Sequence, residues 1–159
     1  MAEIQVKVGD ALPDIELEAF PEGKKVKTSS YTGKWLVLYF YPRDDTSGCT
    51  KEACAFRDSI GQIKDLGAAV VGVSTDSLGS HEKFTNKYGL NFTLLSDPKG
   101  DLGSRLGVMK DGGGSMYRVT FLVNPKGRVE KIYPKVNPSI HADEIINDLH
   151  ALKKGYPGA

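Results

Sequence analysis

The sequence predicts an α/β fold in which helices flank a central mixed β-sheet. Two runs, residues 35–41 and 68–74, are apolar on both faces, as is typical of central strands that are covered on both sides. A helical apolar stripe lies between them, and a strand pair joined by a tight turn follows later in the chain. The order strand, helix, strand, helix, hairpin and closing helix favours helices packed on a sheet.

The elements follow in order along the chain. The segment before residue 35 contains Ile15-Glu16-Leu17 and Val26, which predict a small N-terminal β-hairpin extension. The first long helix is indicated by apolar residues at spacings of four and three, and Gly67 is a plausible stop for it. That stripe consists of Cys49, Ala53, Phe56, Ile60 and Ile63.

The second half of the chain has weaker signals. A helix is expected over residues 81–88, and a hairpin over 119–133 that turns at 124–127. The glycine-rich segment 111–115 is expected to be a flexible, solvated loop, because no strand precedes it and no helix follows, as a phosphate cradle would require. The closing helix carries Ile145, Ile146, Leu149 and Leu152.

Length and charge exclude several classes of protein. The 159 residues fit one domain, spanning 1–159, that buries a core without disulfides. The net charge is +1 and no basic block occurs, so no nucleic-acid partner is expected. The longest apolar run is too short to cross a membrane, and the N-terminus does not resemble a signal peptide. We therefore expect a cytoplasmic protein, unless a transit peptide preceded residue 1.

The two cysteines, Cys49 and Cys54, are five positions apart. In a reducing compartment such a pair is more often catalytic or metal-binding than structural. At about 100° per residue, Cys54 is rotated roughly 140° from Cys49 onto the polar side of the helix. An intact helix separates their Cα atoms by roughly 8.5 Å, whereas a disulfide needs less than about 7 Å. A disulfide between them therefore requires the first turns of this helix to unwind.

Cys49 is predicted to lie in the first turn of its helix, with the hydroxyl of Thr46 or Ser47 as the N-cap. The positive end of the helix then favours the thiolate, which is the nucleophilic form. The alternative is that Cys49 merely begins the core stripe. A zinc site would need two further ligands, and no histidine forms a short-spaced pair with a cysteine. A disulfide exchanger would normally show C-x-x-C.

Residues 42–49, Pro42-Arg43-Asp44-Asp45-Thr46-Ser47-Gly48-Cys49, match the peroxiredoxin signature P-x-x-x-T-x-x-C. With the flanking stretches 39–42 and 54–57, the chain closely resembles the bacterioferritin-comigratory, or Q-type, peroxiredoxins. The resemblance extends from Gly9 to the C-terminal helix. It implies a thioredoxin-like fold of the peroxiredoxin type.

The resemblance also implies roles for individual residues. Cys49 matches the peroxidatic cysteine, which attacks the peroxide, and Cys54 the resolving cysteine, which closes a disulfide with it. Thr46 matches the threonine whose hydroxyl contacts the peroxide and the sulfur, and Pro42 the proline that shields the sulfur. Arg118 corresponds to an arginine brought from a distant strand, a permanent cation beside the thiolate.

Two further positions match with weaker roles. The backbone N–H of Gly48 is expected to contact substrate, and Glu52 to help orient the arginine. Each assignment has a simpler alternative: Thr46 as a helix cap only, Pro42 as a strand end, Arg118 as a surface or ion-pairing residue, and Glu52 as a first-turn acid. Asp44 and Asp45 are expected to be solvated loop residues without a chemical role.

Together these residues predict a thiol-dependent peroxidase that reduces hydrogen peroxide and organic hydroperoxides. A thioredoxin-like or glutaredoxin-like protein would recycle the disulfide, with no metal, haem or nucleotide cofactor. Two alternatives stay open: a thiol–disulfide oxidoreductase acting on proteins, and a non-enzymatic redox sensor. Neither requires Pro42, Thr46 and Arg118 as a set.

Overall fold

The computed structural model describes residues 2–156. A short 3-10 helix at Thr28–Tyr31 precedes the central strand. The strands are β1 Glu16–Phe20, β2 Lys24–Lys27, β3 Trp35–Phe40, β4 Ala68–Ser74, β5 Thr93–Ser96, β6 Val119–Val123 and β7 Val129–Tyr133. The helices are α1 Ser47–Asp65, α2 Leu78–Tyr88, α3 Asp101–Leu106 and α4 His141–Gly155.

The strands form one mixed sheet in the order β2-β1-β5-β4-β3-β6-β7. β3 pairs in parallel with β4, and β4 with β5, whereas the remaining pairs are antiparallel. Every residue of β3 is buried, as expected of a strand with a layer on each face. The predicted α/β fold class, with its central mixed sheet and N-terminal hairpin, is confirmed.

Alternate residues of β3 point to opposite faces of the sheet and belong to two separate core clusters. Val37 and Tyr39 pack in the cluster that includes Phe56 of α1 and Leu149 of α4. The other face is covered in part by α3 and the N-terminal segment. Because α1, α2 and α4 share one face, the two cysteines and the helix that follows β4 lie on the same side of the sheet.

The sequence prediction missed β5 and α3. β5 has only four residues and α3 only six, too few for a clear period. The start of α3 depends on the Asp97 carboxylate, which accepts hydrogen bonds from the backbone N–H groups of Asp101 at 2.8 Å and Gly103 at 2.9 Å. α2 also begins at Leu78, earlier than expected, with the hydroxyl of Ser77 as its N-cap.

The glycine-rich segment 111–115 forms turns and is mostly exposed, in agreement with a solvated loop. An isolated antiparallel bridge between Met109 and Met116 closes its base. Within residues 2–156, no helix has the length and apolar character needed to cross a membrane.

We predict that Gly72→Ala destabilises the protein by about 1–3 kcal/mol, because the added methyl group would have to displace the buried side chains around it. A Cβ on Gly72 would lie 2.8 Å from both Leu94 Cδ2 and Tyr39 Cζ. Urea unfolding of the variant measures the effect. The matched control is Gly61→Ala on α1, where a Cβ meets no atom within 4 Å. That control should be stabilised by about 0.5–1 kcal/mol. Equal stabilities for the two variants would contradict the packing described here.

Candidate active site

Cys49 lies in the first turn of α1, and its side chain is 1% exposed. Thr46 occupies the N-cap position with an extended backbone, but its hydroxyl does not cap the helix. It donates instead to the carbonyl of Arg43 at 2.9 Å. Ser47 is the first residue of α1 and not its N-cap, so the expectation that the hydroxyl of Thr46 or Ser47 caps the helix is wrong. The predicted position of Cys49 in the first turn of α1 is confirmed.

Arg118 reaches the thiol from another part of the sheet. It immediately precedes β6, and the antiparallel register that pairs Val119 with Phe40 brings it to the end of β3, beside the start of α1. Its Nη2 donates to Cys49 Sγ at 3.3 Å. Its Nη1 donates to Glu52 Oε1 at 2.8 Å. One guanidinium, 18% exposed, thus joins the sulfur to a carboxylate.

Glu52 lies on the same face of α1 as Cys49, because residues three apart are neighbours on a helix. It is 1% exposed and belongs to the second turn, so the alternative of an ordinary first-turn acid is wrong. Burial raises the pKa of Glu52 to about 7, although the charge and hydrogen bond of Arg118 act in the opposite direction. Its second oxygen, Oε2, has no hydrogen-bond partner within the described residues 2–156.

Gly48 allows the guanidinium to approach the start of α1. A Cβ at this position would lie 3.0 Å from Arg118 Nη2 and 3.8 Å from Pro138 Cγ. A larger residue would therefore push Arg118 away from the sulfur. The expected contact between the Gly48 N–H and substrate stays a prediction.

Cys54 lies on the same continuous helix as Cys49, and both thiols are free. Cys54 is half-buried, whereas Cys49 is almost fully buried. The two environments agree with the predicted positions on different faces of α1.

The predicted residues Pro42 and Thr46 lie on the segment that connects β3 to α1. Pro42 is partly exposed, and its carbonyl accepts a hydrogen bond from the Ser115 hydroxyl at 3.4 Å. Thr46 is exposed. Their proposed contacts with a peroxide stay predictions. Cys49, Arg118, Glu52 and Gly48 are the predicted residues that the structure brings into one cluster.

The expectation that Asp44 is a solvated loop residue is wrong. It is 8% exposed, and its carboxylate is bonded to the Tyr41 hydroxyl at 2.6 Å and to His81 Nδ1 at 2.7 Å. The segment folds back onto α2, which lies more than thirty positions away in the sequence, so no local pattern indicated this burial. Asp45 is exposed as expected, and it accepts hydrogen bonds from Lys87 and Tyr88.

The burial of Glu52 predicts a pH-dependent stability. Its pKa in the folded protein, about 7, lies above the ordinary value of 4.5. The folded state therefore binds the proton more tightly than the unfolded state, and this contribution is lost as the pH rises from about 4.5 to about 7. We expect the free energy of unfolding of the wild type to fall over this range relative to that of Glu52→Gln. Denaturant unfolding of both proteins across the range measures the difference, and parallel curves would contradict the assignment.

Comparison with known proteins agrees with this geometry. Residues 8–132 match the model of the AhpC/TSA family. The chain is 42% identical to Peroxiredoxin Bcp of Bacillus subtilis, over 94% of this chain and 98% of that protein. It superposes with a TM-score of 0.87 on the crystal structure of the Xylella fastidiosa PrxQ C47S mutant, which is 34% identical and covers 93% of this chain and 98% of that one.

A third similar structure comes from Xanthomonas campestris, with a TM-score of 0.84 and 33% identity over 94% of this chain and 99% of that one. It is the bacterioferritin comigratory protein, described in connection with its alkyl peroxide reduction activity. The family match covers well over half of the chain, and the relatives cover nearly all of it. The chain therefore belongs to the AhpC/TSA family, as a thiol peroxidase of the Bcp and Q-type peroxiredoxins.

Proposed function

We propose that Cys49 is the peroxidatic thiol and that Cys54 resolves it in an intramolecular disulfide. The observation that carries this assignment is the contact of 3.3 Å between Arg118 Nη2 and the buried Cys49 sulfur. A permanent cation stabilises the thiolate and the negative charge that develops on the leaving oxygen. We assign the second step to Cys54, which is the more exposed of the two thiols.

In the first step the Cys49 thiolate attacks the terminal oxygen of a hydroperoxide. The S–O bond forms, the O–O bond breaks, and the leaving oxygen takes up a proton to become an alcohol or water. Cys49 is thereby oxidised to a sulfenic acid. Thr46 and the Gly48 N–H hold the peroxide in line with the sulfur, and Pro42 keeps water away from it.

In the second step the Cys54 sulfur attacks the Cys49 sulfenic acid. The S–S bond forms, the S–O bond breaks, and water leaves with the proton of the Cys54 thiol. Because an intact helix holds the two Cα atoms roughly 8.5 Å apart, the first turns of α1 unwind before the bond closes. Unwinding also removes Cys49 and Glu52 from Arg118.

A dithiol protein of the thioredoxin or glutaredoxin type then reduces the disulfide by thiol–disulfide exchange and is itself oxidised. A reducing compartment such as the cytoplasm supplies this partner. We propose both hydrogen peroxide and organic hydroperoxides as substrates. The apolar side chains of Pro134 and Val136, which line a groove beside Arg118, give an alkyl group a surface to contact.

The test is mass spectrometry after one equivalent of peroxide, on the wild type and on Cys54→Ser. We expect the wild type to lose two hydrogen atoms in an intramolecular disulfide. Cys54→Ser should stop at a sulfenic acid on Cys49 that a dimedone-type reagent traps. A free thiol on Cys49 in both proteins would rule out the proposed chemistry.

A turnover assay with a thioredoxin and its reductase separates the remaining alternatives. A thiol–disulfide oxidoreductase acting on proteins would exchange with disulfide substrates while consuming no peroxide. A redox sensor would form the disulfide but would not turn over when a thioredoxin and its reductase are added. Steady consumption of peroxide with that reductant supports the peroxidase cycle.

A further inference from the structure

His81 is a buried histidine that the proposed chemistry does not use. It lies in the first turns of α2 and is 0% exposed. Its Nδ1 lies 2.7 Å from Asp44 Oδ2, and its Nε2 lies 2.9 Å from the carbonyl oxygen of Leu95. Both ring nitrogens are therefore engaged within the interior.

The partners of the ring determine where its protons lie. A backbone carbonyl only accepts, so Nε2 carries a hydrogen. Asp44 already accepts hydrogen bonds from the Tyr41 hydroxyl at 2.6 Å and the Ser80 hydroxyl at 2.9 Å. Burial raises the pKa of Tyr41 well above its ordinary value, so its phenol stays protonated and remains a donor.

A second proton consequently lies between Nδ1 and Asp44 Oδ2. Without it, a nitrogen lone pair would face a carboxylate oxygen at 2.7 Å in a site that excludes water. His81 and Asp44 thus form a buried, hydrogen-bonded pair, and the hydroxyl groups of Tyr41 and Ser80 are the other side-chain donors to Asp44.

The Asp44 side of this hydrogen-bonded pair lies in the middle of the segment that carries the predicted peroxide-binding residues. Asp44 stands two residues after Pro42 and two before Thr46. Its backbone N–H donates to Asp76 Oδ2 at 2.8 Å, and Asp76 is the second residue after β4. The bonds that hold Asp44 to other elements thus come from α2 and from the segment between β4 and α2.

We propose that His81 is a positioning residue for the peroxidase reaction: by donating to Asp44 it fixes residues 42–46 and so places Pro42 and Thr46 over the Cys49 sulfur. The inference rests on the proposed function, because it concerns the residues that hold the peroxide. It also implies that residues 42–46 keep their position throughout the reaction. The contacts to α2 persist while the first turns of α1 unwind, so the segment is in place when α1 refolds.

The test compares two isosteric substitutions at one position, in a Cys54→Ser background where Cys49 is the remaining thiol. In His81→Asn the amide nitrogen takes the place of Nδ1 and keeps the hydrogen bond to Asp44. In His81→Gln the amide nitrogen takes the place of Nε2 and keeps the bond to Leu95 instead. Each variant loses one buried hydrogen bond, so each serves as the stability control for the other.

Two reaction rates of the Cys49 thiol are measured at the same pH, its oxidation by hydrogen peroxide and its alkylation by iodoacetamide. Alkylation needs the thiolate but not the residues that hold a peroxide. We expect His81→Gln to lower the oxidation rate about 10- to 100-fold, because a substrate that is held slightly out of place reacts more slowly by about this factor. The alkylation rate should be unchanged. His81→Asn should restore most of the oxidation rate.

Equal oxidation rates for His81→Gln and the parent protein would overturn the inference. A parallel loss of oxidation and alkylation would overturn it as well, because that result indicates general loosening of the site. If the parent itself does not react with peroxide, the proposed function fails and the inference fails with it.

Asp44→Asn provides an independent variant should His81→Gln not fold. It keeps the shape of the side chain and replaces one acceptor oxygen with an NH2 donor, so that Tyr41, Ser80 and His81 can no longer all donate to residue 44. We expect the same selective loss of oxidation, and an unchanged oxidation rate in a folded Asp44→Asn protein would overturn the inference.

Discussion

The Arg118 guanidinium, held between a thiol and a buried carboxylate, is the interaction on which the site depends. A charge withdrawn from water needs partners, and Arg118 has two, at 3.3 Å on Cys49 and 2.8 Å on Glu52. Burial lowers the pKa of Arg118, but its interactions with Glu52 and Cys49 more than compensate and raise it. The antiparallel pairing of β6 with β3 places Arg118 beside the start of α1, and α1 carries both Cys49 and Glu52. Gly48 has no side chain, which leaves space for the guanidinium.

The proposed catalytic cycle places two conflicting requirements on α1. Attack on a peroxide needs the helix intact. Cys49 and Glu52 are three residues apart in the sequence, and only an intact helix brings both side chains to the same guanidinium. Formation of the disulfide needs the same turns to unwind, which separates all three groups. The burial of Glu52 is only partly compensated, since its Oε2 has no hydrogen-bond partner among residues 2–156 and its pKa is raised to about 7. The contacts of Asp44 and Asp45 to α2 lie outside the unwinding turns.

Much of the fold and part of the site were predictable from the sequence. β3, β4 and α1 carry long, regular apolar patterns, and Cys49 stands where a helix begins. β5 and α3 were missed because four and six residues carry too little periodicity. The burial of Asp44 was missed because its partner His81 is remote in sequence. Glu52 was underestimated because its importance depends on where Arg118 lies in three dimensions.

The most direct test of the central role of Arg118 is the rate at which hydrogen peroxide oxidises Cys49 with and without this cation. The rate is measured in a Cys54→Ser background, where Cys49 is the remaining thiol. We expect Arg118→Met to lower the oxidation rate by about 100-fold or more, because the guanidinium stabilises the charge that develops on the leaving oxygen. The control is Arg128→Met, which removes an exposed side chain that donates to the Gly9 carbonyl and should keep the parent's rate. Equal oxidation rates for the Arg118→Met protein and its parent would contradict the central role of the cation.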